Sequence, residues 1–303
     1  MLFPIFRMIE PGKSRIFITG IQGLIGWNLY SYFKQYYPTT GFSRSRVPAS
    51  NTHGEWYEGL LEDYSRIDLL LDKIRPDVVL HAQAMCNTDL CEIKPEKVEL
   101  VNVEATRALI QAVSSRSVKF VYLSSEHVFS GKQGCYSETD VCDPISVYGK
   151  TKLRAEELVR EHLNEHLIIR PGLMIGPSAQ GSVGPRDFLL KRLRKELPAS
   201  YFADEIRSPI MAEEFCMAVE YFLKLNTKDT LHIAGADRIS RYDLARCIAY
   251  EAGVSGEWIR KKFIADDKQV PRIADCTLDC SLASSKGWNQ QNIEFINIAL
   301  ETI

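Results

Sequence analysis

The chain is 303 residues long, enough for a large core and for one or two domains. Hydrophobic residues make up 45% and charged residues 25%, ordinary globular usage, and the formal net charge of −2 supplies no basic field for sequence-independent nucleic-acid binding. No apolar run approaches the roughly 18–20 residues of a membrane helix, and residues 1–14, with Arg7, Glu10 and Pro11, lack the long apolar run and cleavage site of a secretory signal. No nucleic-acid or membrane partner is expected, and the expected location is the cytoplasm.

In chain order, residues 15–19 read as a short buried strand that ends in a tight turn at Gly20. Residues 24–36 have helical periodicity, and strands are predicted at 39–43 and 56–61. A helix over 67–74 stops before Pro76, and 77–80 is another buried strand. Residues 96–114 read as one long amphipathic helix and 118–123 as the next strand. The following helix runs on towards Asn164, and 167–169 closes the series. Strands alternating with helices at this spacing predict an α/β fold, a doubly wound parallel sheet of Rossmann type, over 15–171.

Residues 172–184 are rich in Gly, Pro and Ser, as a substrate-facing loop would be. Helices follow at 188–197, 212–225 and 241–253, with a strand at 230–233. The expected division is a Rossmann domain at 15–171, to which a strand and helix near 212–236 return, and a smaller interleaved substrate-binding lobe at 172–303. Eight cysteines (86, 91, 135, 142, 216, 247, 276 and 280) form no C-x-x-C pair, and no Cys/His spacing resembles a metal site. They read as reduced thiols, and no metal is expected.

Two motifs carry chemistry. Gly20, Gly23 and Gly26 fall at the junction of the first strand and first helix, where a dinucleotide site needs a tight turn, close approach to a pyrophosphate and close helix–strand packing. The helix N-terminus there turns free N–H groups towards the phosphates. At the end of the second strand the chain has Ser43-Arg44-Ser45-Arg46 and no acid between Thr39 and Gly54. A NAD site would place an acid near there for the ribose diol, whereas arginine pairs with a 2′-phosphate, so NADP(H) is preferred over NAD(H), with Arg44 as the contact. The second motif is Tyr148 and Lys152, four residues apart and hence on one helix face. A phenol has a pKa of about 10, and a neighbouring ammonium that lowers it makes proton exchange with a substrate practicable.

The chain resembles the extended short-chain dehydrogenase/reductase family over nearly its whole length. The glycine triplet, the Asn102-Val103 step and Tyr148/Lys152 lie in that family's order and spacing. More narrowly it is similar to the dTDP-4-dehydrorhamnose reductase branch. Ser124-Ser125-Glu126-His127-Val128-Phe129-Ser130-Gly131 resembles that branch's S-T-D-Y-V-F-D-G. Tyr136, Glu138, Asp140, Pro144 and Tyr148-Gly149-Lys150-Thr151-Lys152-Leu153 match its Y-x-E-x-D…P…Y-G-x-S-K-L, and Ser208-Pro209 and the stretch from Arg272 to Asp279 echo its C-terminal half.

The resemblance implies NADPH-dependent reduction of a nucleotide-linked 4-keto-6-deoxysugar. Tyr148 would donate the proton, Lys152 would lower the Tyr148 pKa and bond the nicotinamide ribose, and Ser125 would orient the carbonyl. The cofactor set it implies is Gly20, Gly23, Leu24, Ile25, Gly26, Ser43, Arg44, Ala82, Gln83, Ala84 and Asn102, with Tyr148 and Lys152. Asn102 either holds a relay water or packs its helix. Substrate contacts would be Ser125, Glu126, His127, Leu173 and Arg272, the last on the diphosphate, and a homodimer is the assembly the family suggests.

Four departures stand out. Leu60 occupies the place of an adenine-contacting Asp. Arg170-Pro171-Gly172-Leu173 replaces R-T-S-W and so lacks the aromatic near the substrate's base. His81 replaces an Asn and reads as a buried, hydrogen-bonded histidine. Glu126-His127 replaces Asp-Tyr, at positions where the family's 4,6-dehydratases carry an acid and a base. A dehydratase or epimerase therefore remains an alternative, as does a non-catalytic NADP-binding regulatory subunit like that of methionine adenosyltransferase.

Overall fold

The computed structural model describes residues 8–45, 54–267 and 270–302, so Arg46 lies outside the described residues. Its centre is a seven-stranded parallel sheet built from β1 (Ile16–Thr19), β2 (Thr39–Ser43), β3 (Glu55–Glu58), β4 (Val78–His81), β5 (Lys119–Leu123), β6 (His166–Pro171) and, returning late in the chain, β11 (Asp229–Ile233). The spatial order is β11-β6-β5-β4-β1-β2-β3, all parallel. The order reverses beside β1, and in such sheets ligands sit at the carboxyl ends of the strands at this switch.

The central strands are apolar because both their faces are covered. Ile16, Ile18, Val78, Leu80, Val121 and Leu123 face one core; Phe17, Val79, Phe120 and Tyr122 face the other. The first core packs α1 (Leu24–Phe33) and α8 (Ala212–Lys224) through Leu29, Phe33, Phe215 and Phe222. The second packs α2 (Tyr64–Ile74), α5 (Ala105–Val113) and α6 (Val147–His162). Each fully buried Phe or Leu in these layers contributes about 1.5–3 kcal/mol relative to an exposed one.

The expected long helix over 96–114 is interrupted. Two short helices, α3 (Thr88–Ile93) and α4 (Pro95–Glu99), lead into a π-helical turn at Leu100–Glu104 before α5. Pro95 suits a first helical turn because its missing N–H would have had no partner there. The wider π turn carries Asn102 inward, where it is almost completely buried. Helix α2 starts three residues earlier than its apolar pattern because the Asp63 side chain accepts from the Arg66 N–H (3.2 Å).

Beyond β6 the chain builds a third core from α7 (Pro185–Leu193), α9 (Arg241–Glu251), α11 (Glu294–Thr302) and the parallel pair β8 (Ala199–Phe202) and β13 (Ile259–Lys262). Two-residue ladders join β7 (Met174–Ile175) to β10 (Ile210–Met211), and β9 (Ile206–Arg207) to β12 (Ile239–Ser240). Pairs this short leave no periodicity in a sequence. The last short helix is α10 (Ser281–Ser285). All eight cysteines are free, and no described helix is long and apolar enough to cross a membrane.

His81 lies wholly buried at the end of β4, Nδ1 on the Thr19 hydroxyl (2.7 Å) and Nε2 on that of Thr106 (2.9 Å). Burial, and then the Lys152 charge, push its pKa down to about 3. Burial likewise depresses His127 to about 3 and His232 to about 4. All three are neutral in the folded protein and take up protons more readily when unfolded. Stability is therefore expected to be complete above pH about 6.5 and to fall as pH drops below it, by about 1.4 kcal/mol per unit for each histidine. Glu126, raised to about 7, binds a proton in the folded state across the same window and offsets one of the three. Thermal denaturation between pH 7 and 4.5 checks this: a melting temperature that rises on acidification would contradict it.

Candidate active site

Gly20 leaves β1 with φ +73°, and a Cβ there would stand 2.7 Å from the Gln83 backbone after β4. A Cβ on Gly26 would overlap the Gly20 carbonyl oxygen. The turn can close onto β4 only with glycine at both positions. Gly23 caps α1 without a side chain, so the N–H groups of Leu24, Ile25 and Gly26 face outward from a helix N-terminus, the arrangement that binds phosphates. Gln83 is buried, yet neither its Oε1 nor its Nε2 has a partner, and Ala82 and Ala84 flank it. A glycine cradle beside an unsatisfied amide fits a dinucleotide. Gly20→Ala is expected to cost about 1–3 kcal/mol through strain and displacement of Gln83. Melting and NADP⁺ titration read both losses, and an unchanged affinity would separate the turn from cofactor binding.

At the rim of β2, Ser43 is buried and donates to the Ser45 carbonyl (2.5 Å), and Gln22 ties that loop to the glycine turn (2.9 Å). Arg44 is about one-third exposed and pairs with Glu62 at 2.5 Å. This acid arrives from beyond β3, outside the window in which the sequence was searched for one. It braces the guanidinium and leaves part of it for a phosphate.

Tyr148 stands in the first turn of α6, whose Ser146 cap accepts from Gly149 N (3.1 Å). Gly149 lets this turn close against the His127 backbone carbonyl, which a Cβ would overlap. The Tyr148 phenol lies beside the Ser125 hydroxyl, and the His127 ring meets the Tyr148 ring edge-on at 5.4 Å. Ser125, extended at the end of β5, also accepts from the His127 N–H (3.2 Å). Lys152 is 2% exposed; its Nζ donates to the Leu123 carbonyl (2.6 Å) and sits 4.1 Å above the Tyr122 ring.

The electrostatics differ from the expectation that Lys152 lowers the Tyr148 pKa. Burial, then the neighbouring Cys86, push the phenol up, with the Ser125 hydroxyl opposing. Burial depresses Lys152 to about 7 against the pull of Glu156. Lys152 here serves the Leu123 carbonyl, and desolvation governs the phenol. Tyr148 is thus held protonated, the form that donates.

Glu126 and His127 occupy a 3-10 turn after Ser125. Glu126 is buried 3.3 Å from Arg207 Nε and beside Cys276; burial lifts it to about 7 despite both. Burial, then Arg207 and Arg241, keep His127 neutral. Arg207 is 3% exposed and lies near Glu205 as well (3.6 Å). Glu126 Oε2, His127 Nδ1, Arg207 Nε and Tyr201 Oη are buried atoms with no hydrogen-bond partner. Sequence reasoning missed Arg207, Arg241, Glu205, Tyr201 and Cys276, although Arg207 immediately precedes the Ser208-Pro209 pair that it noticed.

The other expected contacts are held by protein. Asn102 accepts from Met85 N (2.7 Å) and donates to Met85 O (3.1 Å) and the Thr151 hydroxyl (3.0 Å), pinning the loop after β4 to α6. Its amide oxygen and nitrogen are both used in that packing. Arg272 bridges Asp89 (2.8 Å) and Asp267 (3.0 Å), 5.1 Å over the Phe202 ring, with Nε buried and unpartnered. Leu173 packs at the edge of the third core, that of α7, α9, β8 and β13. Leu60 is about half exposed.

A dinucleotide cradle and a Ser–Tyr–Lys set at the carboxyl ends of one parallel sheet define an NAD(P)-dependent oxidoreductase of the extended short-chain dehydrogenase/reductase class. Residues 14–293 match the family described as RmlD substrate binding domain, and the chain belongs to that family. It is 25% identical to methionine adenosyltransferase 2 subunit beta of Bos taurus, over 92% of this chain and 84% of that one. It is 27% identical to dTDP-4-dehydrorhamnose reductase of Salmonella typhimurium, over 80% and 79%. The crystal structure of a hypothetical dTDP-4-dehydrorhamnose reductase from Sulfolobus tokodaii superimposes with a TM-score of 0.79 and 29% identity, covering 93% of this chain and 98% of that chain. Other solved structures of this fold, about 20% identical to this chain, hold NADP or NAD.

Proposed function

We propose that the protein reduces the 4-ketone of a nucleotide-linked 4-keto-6-deoxysugar, with NADPH as the hydride donor. The observation that carries this is the Ser125–Tyr148 hydroxyl pair beside buried Lys152, at the same carboxyl edge of the sheet as the glycine turn. The reductase relative of Salmonella typhimurium supports the substrate class.

Gly20, Gly23 and the Leu24–Gly26 amides would hold the pyrophosphate, Gln83 with Ala82 and Ala84 the ribose, and Ser43 and Arg44 the 2′-phosphate. When bound, the nicotinamide supplies a hydride to the ketone carbon. Ser125 donates a hydrogen bond to the carbonyl oxygen and fixes the face presented. Tyr148, protonated by its buried setting, transfers its proton to that oxygen as charge develops, which is general acid catalysis. Lys152, released from the Leu123 carbonyl, steadies the phenolate left behind. Glu126, beside Arg207, and neutral His127 with its free Nδ1 would orient sugar hydroxyls, with Leu173 at their side and Arg272 at the diphosphate.

Glu126 also favours a second reading, because a carboxyl lifted to about 7 can exchange protons in an elimination or epimerisation. NADPH deuterated on the transferring face of its nicotinamide C4 separates the two. Reduction places deuterium on the sugar and consumes one NADPH per sugar, whereas an epimerase or dehydratase leaves the cofactor level unchanged. The subunit relatives support a third reading, in which the chain binds NADP and serves a partner enzyme. Retention of a methionine adenosyltransferase on the immobilised protein, with no sugar turnover, would favour it.

A further inference from the structure

Behind the Ser–Tyr–Lys set lies a buried charge network that the mechanism above leaves unused. Glu156 is one turn after Lys152 on α6 and completely buried. Its carboxylate accepts from the Ser124 hydroxyl, from Arg170 Nε (2.9 Å) and Nη2 (2.8 Å), and from Arg160 Nη2 (2.7 Å). Arg170, from β6, is also buried. Its Nη2 reaches Cys142 Sγ (3.1 Å) and its Nη1 faces His232 Nε2 (3.3 Å), while its guanidinium lies 5.1 Å over the Phe129 ring. His232 Nδ1 lies on the carbonyls of Tyr136 (3.0 Å) and Asp279 (3.2 Å), so it carries the proton and leaves Nε2 to accept from Arg170.

Two features connect this network to the chemistry. Ser124, which Glu156 holds, is the residue before Ser125, and its N–H is bonded to the Ile169 carbonyl of β6 (2.7 Å). The end of β5, where the carbonyl-orienting hydroxyl sits, is therefore fixed from both sides. Lys152 is also nearly isolated from countercharge. Facing it are the Tyr122 ring and the Leu123 carbonyl from β5, His81 of β4, Cys86 in the loop after β4, and Tyr148 and Glu156 on its own helix. Of these, Glu156 is the carboxylate, and Arg170 and Arg160 together keep it ionised; its pKa is lowered although burial opposes this.

We propose that Glu156, clamped by Arg170, is a positioning residue for the reduction: it fixes the Ser124–Ser125 step against α6 and supplies the countercharge that keeps Lys152 an ammonium. The inference rests on the reductase reading for its consequence in turnover, but the charge coupling itself can be measured without a substrate. A buried pair kept for stability alone would hold the fold and leave the Lys152 titration where it is.

The test compares the wild type with Glu156→Gln and Glu156→Asp. Turnover is followed against pH, and acetylation of the Lys152 amine by acetic anhydride is followed by mass spectrometry over the same range. Loss of the carboxylate disfavours the ammonium, so in Glu156→Gln the fall of kcat at high pH and the rise of Lys152 labelling both move to lower pH, by about one unit. That shift is about a tenfold loss of kcat at a pH above both midpoints. Glu156→Asp keeps the charge and leaves the labelling midpoint at its wild-type position. Should Glu156→Gln fail to fold because Arg170 loses its partner, the double variant E156Q/R170M is compared with R170M alone, which keeps the carboxylate, and the labelling midpoint of the double variant lies below that of R170M. An unmoved midpoint in a folded variant, or one that moves up, overturns the proposal. A shifted labelling midpoint with no turnover of any sugar supports the coupling and sinks the reductase reading instead.

Discussion

Tyr148→Phe is expected to lower kcat by about 10²–10⁴-fold, the usual share of a positioned general acid, with NADPH affinity close to that of the wild type. The substitution keeps the ring that packs on Cys91 and Val98 and meets His127 edge-on, so the site's shape survives. What is lost is the buried hydroxyl beside Ser125. The structural cost is the single partner left behind, about 1–3 kcal/mol at most. Single-turnover hydride transfer, measured with NADPH binding as the control, separates these effects. A variant that retains more than about a tenth of wild-type kcat would remove Tyr148 from the proton transfer.

Arg207→Ala should give the largest stability loss outside the hydrophobic cores. The guanidinium is buried, its Nη1 donates to the carbonyls of Ile206 (2.8 Å), Ile273 (3.1 Å) and Ala274 (3.3 Å), and its Nε lies 3.3 Å from Glu126. Removing it takes a donor from three carbonyls, of which that of Ala274 keeps the Ile206 N–H, and leaves Glu126 uncompensated, a change that costs about 3–5 kcal/mol for a buried pair. The deficit depends on pH in a definite direction. Glu126 already holds its proton up to about 7, and without Arg207 it holds it to higher pH still. The loss is therefore smallest below pH 7 and deepens as pH rises. Glu126→Gln in the same chain should recover much of it. Melting curves at pH 6 and pH 8.5 decide the matter, and equal losses at both would mean that the Arg207–Glu126 contact is not what the variant breaks.

The parts of the molecule legible in the sequence are those fixed by local chemistry. Strand β2 is expected and found at Thr39–Ser43, where the β-forming Thr39, Thr40 and Phe42 lie between Pro38 on one side and Arg44 and Ser45 on the other. The glycine turn was legible because Gly20 and Gly26 leave no room for a Cβ. Tyr148 and Lys152 were legible because helical spacing alone puts them on one face. What escaped was set by distant partners. The π turn that buries Asn102 has no signature in helical periodicity. Glu62 meets Arg44 from 18 residues away, and Arg207 meets Glu126 from another part of the fold. The sign of the Tyr148 shift escaped for the same reason. Spacing predicts proximity to an ammonium, but burial, which the sequence does not quantify, governs the phenol.

The most direct test of the reductase reading is the stoichiometry of NADPH oxidation with a panel of nucleotide-linked 4-keto-6-deoxysugars. The account predicts that at least one sugar is reduced with one NADPH consumed per product, and that NADH supports the reaction less well. Tight NADPH binding without net oxidation on any member of the panel would contradict it.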